Sequence, residues 1–191
     1  MLRLLANGIL VLLTVLYPFA IYYGLEFQEL EARYMAVFLL AMFALRHILA
    51  RRKAQPAQPQ NSLMLVLLSI FALLVFMLNS EESLRFYPVL INLCMLFTFA
   101  YTLVYPPSMI ERFARIADPQ LPDHATAYTR KVTFVWCGFF ALNALFSAYT
   151  AVFFSLKAWS LYNGLIAYGF VALLFIVEFP VRLWVQRRHK S

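Results

Sequence analysis

Two charged side chains that stand one helical turn apart are the first candidates for chemistry in this sequence. Glu178 and Arg182 lie in the last apolar stretch of the chain, with Pro180 between them. Glu178 is the only acidic residue inside such a stretch, and a carboxylate within a membrane is a candidate proton or substrate site. Its position near the end of the stretch, with Glu preceding Arg, favours an interfacial ion pair instead.

Asn143 is a second polar residue in an apolar stretch, and it lies near the middle of that stretch. Small residues recur beside it at helical spacing, a pattern that lets another helix approach closely. These are Ala141, Ala144, Ala148, Ala151 and Ser155. We therefore expect Asn143 to hydrogen-bond another helix rather than a ligand.

The sequence contains no recognisable catalytic or metal-binding motif. The three histidines share no ligand spacing, and HExxH, CxxC and phosphate-binding glycine loops do not occur. We therefore predict no catalytic residue, no metal and no cofactor. An acyl-transfer enzyme would need a paired nucleophile and base, for which His124 with Ser108 or Asp123 is the only cytoplasmic candidate set.

Composition predicts which elements must position these residues. Of 191 residues, 63% are hydrophobic and 13% are charged, and the mean hydropathy is +0.74. Because soluble domains carry about 25% charged residues, most of this chain must face lipid. The apolar stretches predict an all-α polytopic membrane protein, a single transmembrane domain over 1–191. Its six transmembrane helices are expected at about 4–23, 34–50, 63–78, 86–105, 132–156 and 161–185.

The basic residues predict how these helices are oriented. Thirteen of the 16 Lys and Arg residues fall on one side of the six-helix arrangement, and only Arg33, Arg85 and Lys157 fall on the other. Basic residues are retained in the cytoplasm, so both termini should be cytoplasmic in the inner membrane of a bacterial cell. This dispersed positive charge does not form a nucleic-acid-binding patch.

Two cytoplasmic loops are long, at 51–62 and 106–131. Residues 55–60 are polar and proline-rich, which predicts a disordered spacer. In the second loop, apolar residues recur at helical spacing over 108–117, opposite Glu111, Arg112 and Arg115. The pattern predicts a short amphipathic helix between the fourth and fifth transmembrane helices. It serves either as an interfacial linker or as a docking surface for an anionic lipid or acidic partner.

Three segments carry a family resemblance. They are Tyr128-Thr-Arg-Lys-Val-Thr-Phe-Val-Trp136-Cys-Gly-Phe-Phe140 with Asn143 following, Pro106-Pro-Ser-Met-Ile-Glu-Arg112, and Ala158-Trp-Ser-Leu-Tyr-Asn-Gly164. Together with Glu178 and Arg182, they resemble a family of bacterial inner-membrane proteins encoded with fatty-acid-synthase-like genes for aryl-polyene pigments. The resemblance covers the chain from about residue 86 onwards. It implies a setting in acyl-lipid biosynthesis and does not imply a reaction.

Our leading interpretation is a non-catalytic membrane component that recruits soluble acyl-chain enzymes or handles their lipidic product. Alternatives are a small transporter or flippase for that product, and an intramembrane acyl-transfer enzyme. The expected partners are membrane lipids and an acyl carrier protein or acyltransferase-type enzyme. The candidate binding residues are Glu111, Arg112, Arg115, Arg130, Lys131, Asn143, Glu178 and Arg182. The sequence leaves the oligomeric state open.

Overall fold

A computed structural model describes residues 16–27, 31–51, 59–117, 119 and 121–188. Helices joined by short connections make up this part of the chain, and it contains no strand, which confirms the all-α class. The helices are α1 (16–26), α2 (Ala32–Arg51), α3 (Pro59–Leu78), α4 (Glu81–Arg85), α5 (Tyr87–Val104), α6 (Met109–Ala117), α7 (Asp123–Phe153), α8 (Leu156–Leu161) and α9 (Ala167–Arg188). A π-helical segment, Tyr162–Ile166, connects α8 to α9.

Three helical stretches of the described chain are long and apolar enough to cross a membrane, namely Glu81–Val104, Ala125–Phe153 and Leu156–Arg182. Ala32–Ala41 and Val66–Leu78 are shorter apolar helical segments. Many large apolar side chains are exposed along these helices, and the contact of so much apolar surface with water would be unfavourable. Examples are Phe134, Leu145, Phe153 and Ile176, whose exposed fractions are 67–71%. The chain is therefore compatible with a membrane location.

Two helices begin earlier than the hydropathy pattern predicts. α3 begins at Pro59, inside the predicted spacer, because proline lacks an N–H and suits the first position of a helix. The rest of that spacer, 55–58, lies outside the described residues, as does 4–15 of the first apolar stretch. α7 is one 31-residue helix that begins at Asp123, so residues 123–131 of the predicted loop belong to the same helix as the fifth apolar stretch.

The connection after α7 is shorter than predicted. α7 ends at Phe153, and the Oγ of Ser155 accepts a hydrogen bond from the backbone N–H of Ala158 at 3.3 Å. This N-cap starts α8 at once, because it satisfies one of the unpaired donors of the first helical turn. Lys157 and Trp159, expected in a loop, therefore lie within a helix.

The chain divides into two compact units. The first contains the described residues of 1–90 and 147–165, and the second contains those of 91–146 and 166–191. In the first unit, α2 packs against α3. The ring of Tyr17 lies 4.7 Å from that of Tyr87, and the buried indole of Trp159 donates to the carbonyl of Arg85 at 3.0 Å.

The second unit has a core of aromatic and small side chains. Phe99, Trp136 and Cys137 are buried at its centre, and apolar residues of α5, α6, α7 and α9 pack around them. The Trp136 ring lies 5.0 Å from that of Phe175 in a tilted arrangement, so this aromatic contact joins α7 to α9. Phe140, on α7 itself, lies 5.7 Å from the same ring. Ile110, Val132 and Trp136 of this core also line a groove in the same unit.

Candidate functional site

The second unit contains a groove of about 380 Å³ lined by residues of α6, α7 and α9 and by Leu121. Its wall is polar at one end and apolar at the other. Tyr128, Glu178 and Arg182 lie toward the polar end, beside the apolar Ala125 and Val185, whereas Val132, Trp136 and Phe175 lie toward the apolar end. Ala125 and Trp136, the first and last lining residues of α7, are eleven residues apart, so the groove runs about 16.5 Å along that helix.

At the polar end, the hydroxyl of Tyr128 donates to Oε1 of Glu178 at 3.2 Å. The predicted ion pair between Glu178 and Arg182 does not form, since no salt bridge joins these two described residues. Glu178 instead takes its partner from α7, a helix that passes beside it. Glu178 and Arg182 consequently line the groove as two separate charges.

The α6 wall of the groove is held at its first turn by two buried threonines. The backbone N–H of Met109 donates to Oγ1 of Thr102 on α5 at 2.9 Å, and that of Ile110 donates to Oγ1 of Thr133 on α7 at 3.2 Å. Both threonines are fully buried. They satisfy donors that a helix start leaves without an intrahelical acceptor. Side chains of α5 and α7 thereby anchor the start of α6.

Glu111 lies in the interior rather than on the exposed face where the periodicity predicts it. Only 4% of the residue is exposed. Its Oε2 accepts from the backbone N–H of Ser108 at 3.3 Å, and its Oε1 accepts from Nε and Nη2 of Arg115 at 2.9 and 2.8 Å. The carboxylate is buried because these donors compensate for the loss of water. Glu111 therefore has a structural role in holding α6.

The four basic residues of the predicted docking loop differ in their surroundings. Arg115 is bound to Glu111, and Nε of Arg112 donates to the carbonyl of Pro107 at 2.8 Å, so both guanidinium groups stabilise the loop itself. Arg130 and Lys131 on α7 are exposed and have no hydrogen bond or ion pair to any described residue. Only these two resemble the cations that a docking surface requires.

The outer side of α6 is apolar. Phe113 is 56% exposed and Ile116 is 81% exposed, although Phe113 also contributes to the groove. An exposed apolar stripe beside arginines is typical of a helix that lies at a membrane surface. The exposed apolar side chains of α6 are therefore those expected on the apolar face of the predicted amphipathic helix.

Asn143 forms the interhelical contact that the sequence predicts. Its Nδ2 donates to Oδ1 of Asn92 on α5 at 2.9 Å, and both side chains are buried. A hydrogen bond between two amides in an apolar bundle holds helices together. Neither asparagine lines the groove, so the geometry supports a packing role.

Sequence reasoning overlooked several residues that build these sites. Tyr128, Thr102 and Thr133 have no local signal, because their partners are on other helices. The pattern Ser108-x-x-Glu111, by contrast, is a capping-box sequence that marks the start of α6.

In the first unit, a buried network joins Ser147 to Asn163 at 2.7 Å and Asn163 to Thr150 at 3.3 Å.

The groove offers a hydrogen-bonded carboxylate, a guanidinium group and apolar walls, which together suit an amphiphile. No group of three or more potential metal ligands occurs in the described part of the chain. The side chains of His124 and Asp123 in the candidate acyl-transfer set lie outside the part of the chain that the structure describes. No protein-family model, curated protein or solved structure matches this chain.

Proposed function

We propose that this protein is a non-catalytic, multi-pass inner-membrane component that holds an acyl-chain amphiphile during acyl-lipid or polyene biosynthesis. The observation that carries the proposal is the polarity of the groove. Tyr128, Glu178 and Arg182 line one end, and Trp136 and Phe175 line the other. An amphiphile requires a site with one polar and one apolar end, because its headgroup needs polar surroundings and its acyl chain needs apolar ones.

The proposal includes six transmembrane helices with both termini in the cytoplasm. The strong bias of Lys and Arg to one side of the apolar stretches supports this arrangement. Under it, Arg130, Lys131 and Arg182 all lie close to the inner headgroup level. The polar end of the groove then opens near the cytoplasm, where soluble acyl-chain enzymes work.

A soluble partner is the second part of the proposal. Arg130 and Lys131 are exposed and form no hydrogen bond or ion pair with described residues, and they offer positive charge to an acidic surface. Acyl carrier proteins present such a surface. Charge complementarity of this kind mainly accelerates association, and it weakens as salt is added.

Photo-crosslinking of a diazirine-labelled fatty acid to the full-length protein in nanodiscs tests the proposal. We expect labelling at the buried Trp136 that excess unlabelled fatty acid suppresses. Labelling at exposed Leu145 should persist, since that side chain faces bulk lipid in the proposed arrangement.

A pair of variants on α7 sharpens this test. Val132→Trp fills the groove and should remove the competable labelling. Val135→Trp adds the same bulk at a site that is 54% exposed, and it should leave the labelling unchanged. Labelling in the groove that resists competition, or that survives Val132→Trp, contradicts amphiphile binding there.

A further inference from the structure

The polar end of the groove contains two opposite charges that do not form an ion pair with each other. Among the described lining residues, Glu178 and Arg182 are the only charged ones. Neither forms an ion pair with any described residue. Side chains four residues apart on a helix share one face, with about 5–6 Å between their Cβ atoms. The groove therefore presents a negative and a positive group side by side.

We infer that the amphiphile in the groove is a single-chain lipid with a zwitterionic headgroup, its anion beside Arg182 and its cation beside Glu178. This inference rests on the proposed function and assigns the chemical class of the ligand. A phosphate joined to an ammonium group by a short alkyl bridge has charges spaced on the same scale as the two side chains. Lysophosphatidylethanolamine is a representative compound.

A headgroup of one sign fits less well. An anion beside Arg182 lies close to the Glu178 carboxylate, and a cation beside Glu178 lies close to the guanidinium group. Each incurs a like-charge repulsion that disfavours it relative to a zwitterion. A neutral headgroup leaves both charges without a counterpart.

Tyr128 prepares the carboxylate for this role. Its hydroxyl occupies Oε1 of Glu178, and no described residue donates to Oε2. One carboxylate oxygen is thus held by α7 while the other is available to an ammonium group. Ammonium-to-carboxylate hydrogen bonds are among the stronger polar contacts in proteins.

The size of the groove favours one acyl chain. Its volume of about 380 Å³ lies at the lower end of the roughly 300–1,000 Å³ usual for ligand pockets. Two chains of a full phospholipid would extend well beyond its walls. A single chain can lie along Val132 and Trp136 with the headgroup at Tyr128.

Competition among four amphiphiles of equal chain length tests the headgroup. The full-length protein in nonionic detergent is loaded with the diazirine fatty acid and then challenged with each competitor. The competitors are lysophosphatidylethanolamine, lysophosphatidic acid, an alkylamine and a monoacylglycerol. We expect the zwitterion to compete at about threefold to fivefold lower concentration than the other three. The preference should decrease as salt is added.

Single substitutions should reverse the order of preference. Glu178→Gln should favour lysophosphatidic acid, because only the positive group is left, and Arg182→Gln should favour the alkylamine. Lys157→Gln removes an exposed charge from α8, outside the groove, and should leave the order as in the wild type.

The outcomes separate this inference from the proposed function. If all four compounds compete equally in the wild-type protein, the zwitterion assignment is wrong while acyl-chain binding stands. The zwitterion assignment is also wrong if Glu178→Gln and Arg182→Gln leave the order of the competitors unchanged. If no compound competes, including the neutral one, the proposed function itself fails. Should a variant not fold, the wild-type order and its salt dependence still decide the matter.

Discussion

The hydroxyl of Tyr128 donates to Oε1 of Glu178 across 3.2 Å and joins α7 to α9 at the polar end of the groove. Fifty positions separate the two residues in the sequence. The contact withdraws Glu178 from the ion pair that its neighbour Arg182 suggests. It therefore adds a polar link between the two helices and leaves Arg182 as a separate charge in the groove.

A double-mutant cycle should detect this contact. Tyr128→Phe and Glu178→Gln should each lower the free energy of unfolding, and the double variant should lose less than the sum. We expect a coupling of about 0.5–1.5 kcal/mol, since interhelical hydrogen bonds in membranes are modest. Unfolding in mixed detergent micelles provides the measurement. Tyr149→Phe alters an exposed tyrosine of α7 and should have no effect, and strict additivity would show that the contact is not energetically coupled.

Thr102 and Thr133, whose hydroxyl groups cap the first turn of α6, should stabilise that turn. Thr102→Val and Thr133→Val keep the side-chain volume but leave an N–H of Met109 or Ile110 without its acceptor. Each variant should cost about 1–2 kcal/mol and accelerate hydrogen exchange at that amide.

Thr98→Val is the matched control for these caps. The hydroxyl of Thr98 donates to the carbonyl of Cys94 on its own helix at 2.7 Å and caps nothing on α6. Exchange at Met109 and Ile110 should therefore stay at the wild-type rate. Equal acceleration in all three variants would indicate that general loss of hydroxyl groups, rather than capping, causes the effect.

Gly164 should tolerate no side chain. A Cβ at this position would lie 2.5 Å from the Phe19 ring in the first unit. Gly164→Ala should destabilise the protein by about 1–3 kcal/mol, because one of the two groups must move out of a packed position. Thermal unfolding in detergent measures the loss, and Phe19→Ala in the same chain should restore part of it.

Gly138 provides the comparison for Gly164. A Cβ there would meet no atom within 4 Å. Because alanine is the better helix former, Gly138→Ala should leave stability unchanged or raise it by up to about 1 kcal/mol. Similar losses at Gly138 and Gly164 would show that the Phe19 contact is not the cause.

Cysteine accessibility should test the proposed orientation. In a chain with Cys94 and Cys137 replaced by Ala, an impermeant maleimide should label Lys157→Cys in intact cells. Lys131→Cys should react only after permeabilisation, because basic residues are retained in the cytoplasm. Lys53→Cys, at a position outside the described residues, should behave like Lys131→Cys. Labelling of Lys157 and Lys131 variants from the same side would contradict the six-helix arrangement.

Hydropathy located the helices well and their ends less well. An apolar run of membrane length is a local property, so the sequence around α5, α7 and α9 is sufficient to predict them. The ends depend on single residues that cap or start a helix. Pro59 and Ser155 do this, and averaging over an apolar window hides such residues.

The candidate site was predicted in part. Glu178 and Arg182, which the sequence singles out, both line the groove, but the ion pair predicted between them does not form. The predicted contact of Asn143 to another helix is confirmed. Periodicity assigned Glu111 to the exposed face of α6, which is wrong. Periodicity describes one helix in isolation, and Glu111 is buried because the Ser108 N–H and Arg115 surround its carboxylate.

The sequence by itself determined the all-helical class, the apolar character of the main helices and the polar residues among them. These properties depend on composition and on the spacing of neighbours along the chain. The tertiary structure alone decided that Glu178 bonds to Tyr128, that Thr102 and Thr133 cap α6, and that α6, α7 and α9 enclose a groove. Such pairings depend on which helices pack together, and no local pattern encodes that choice.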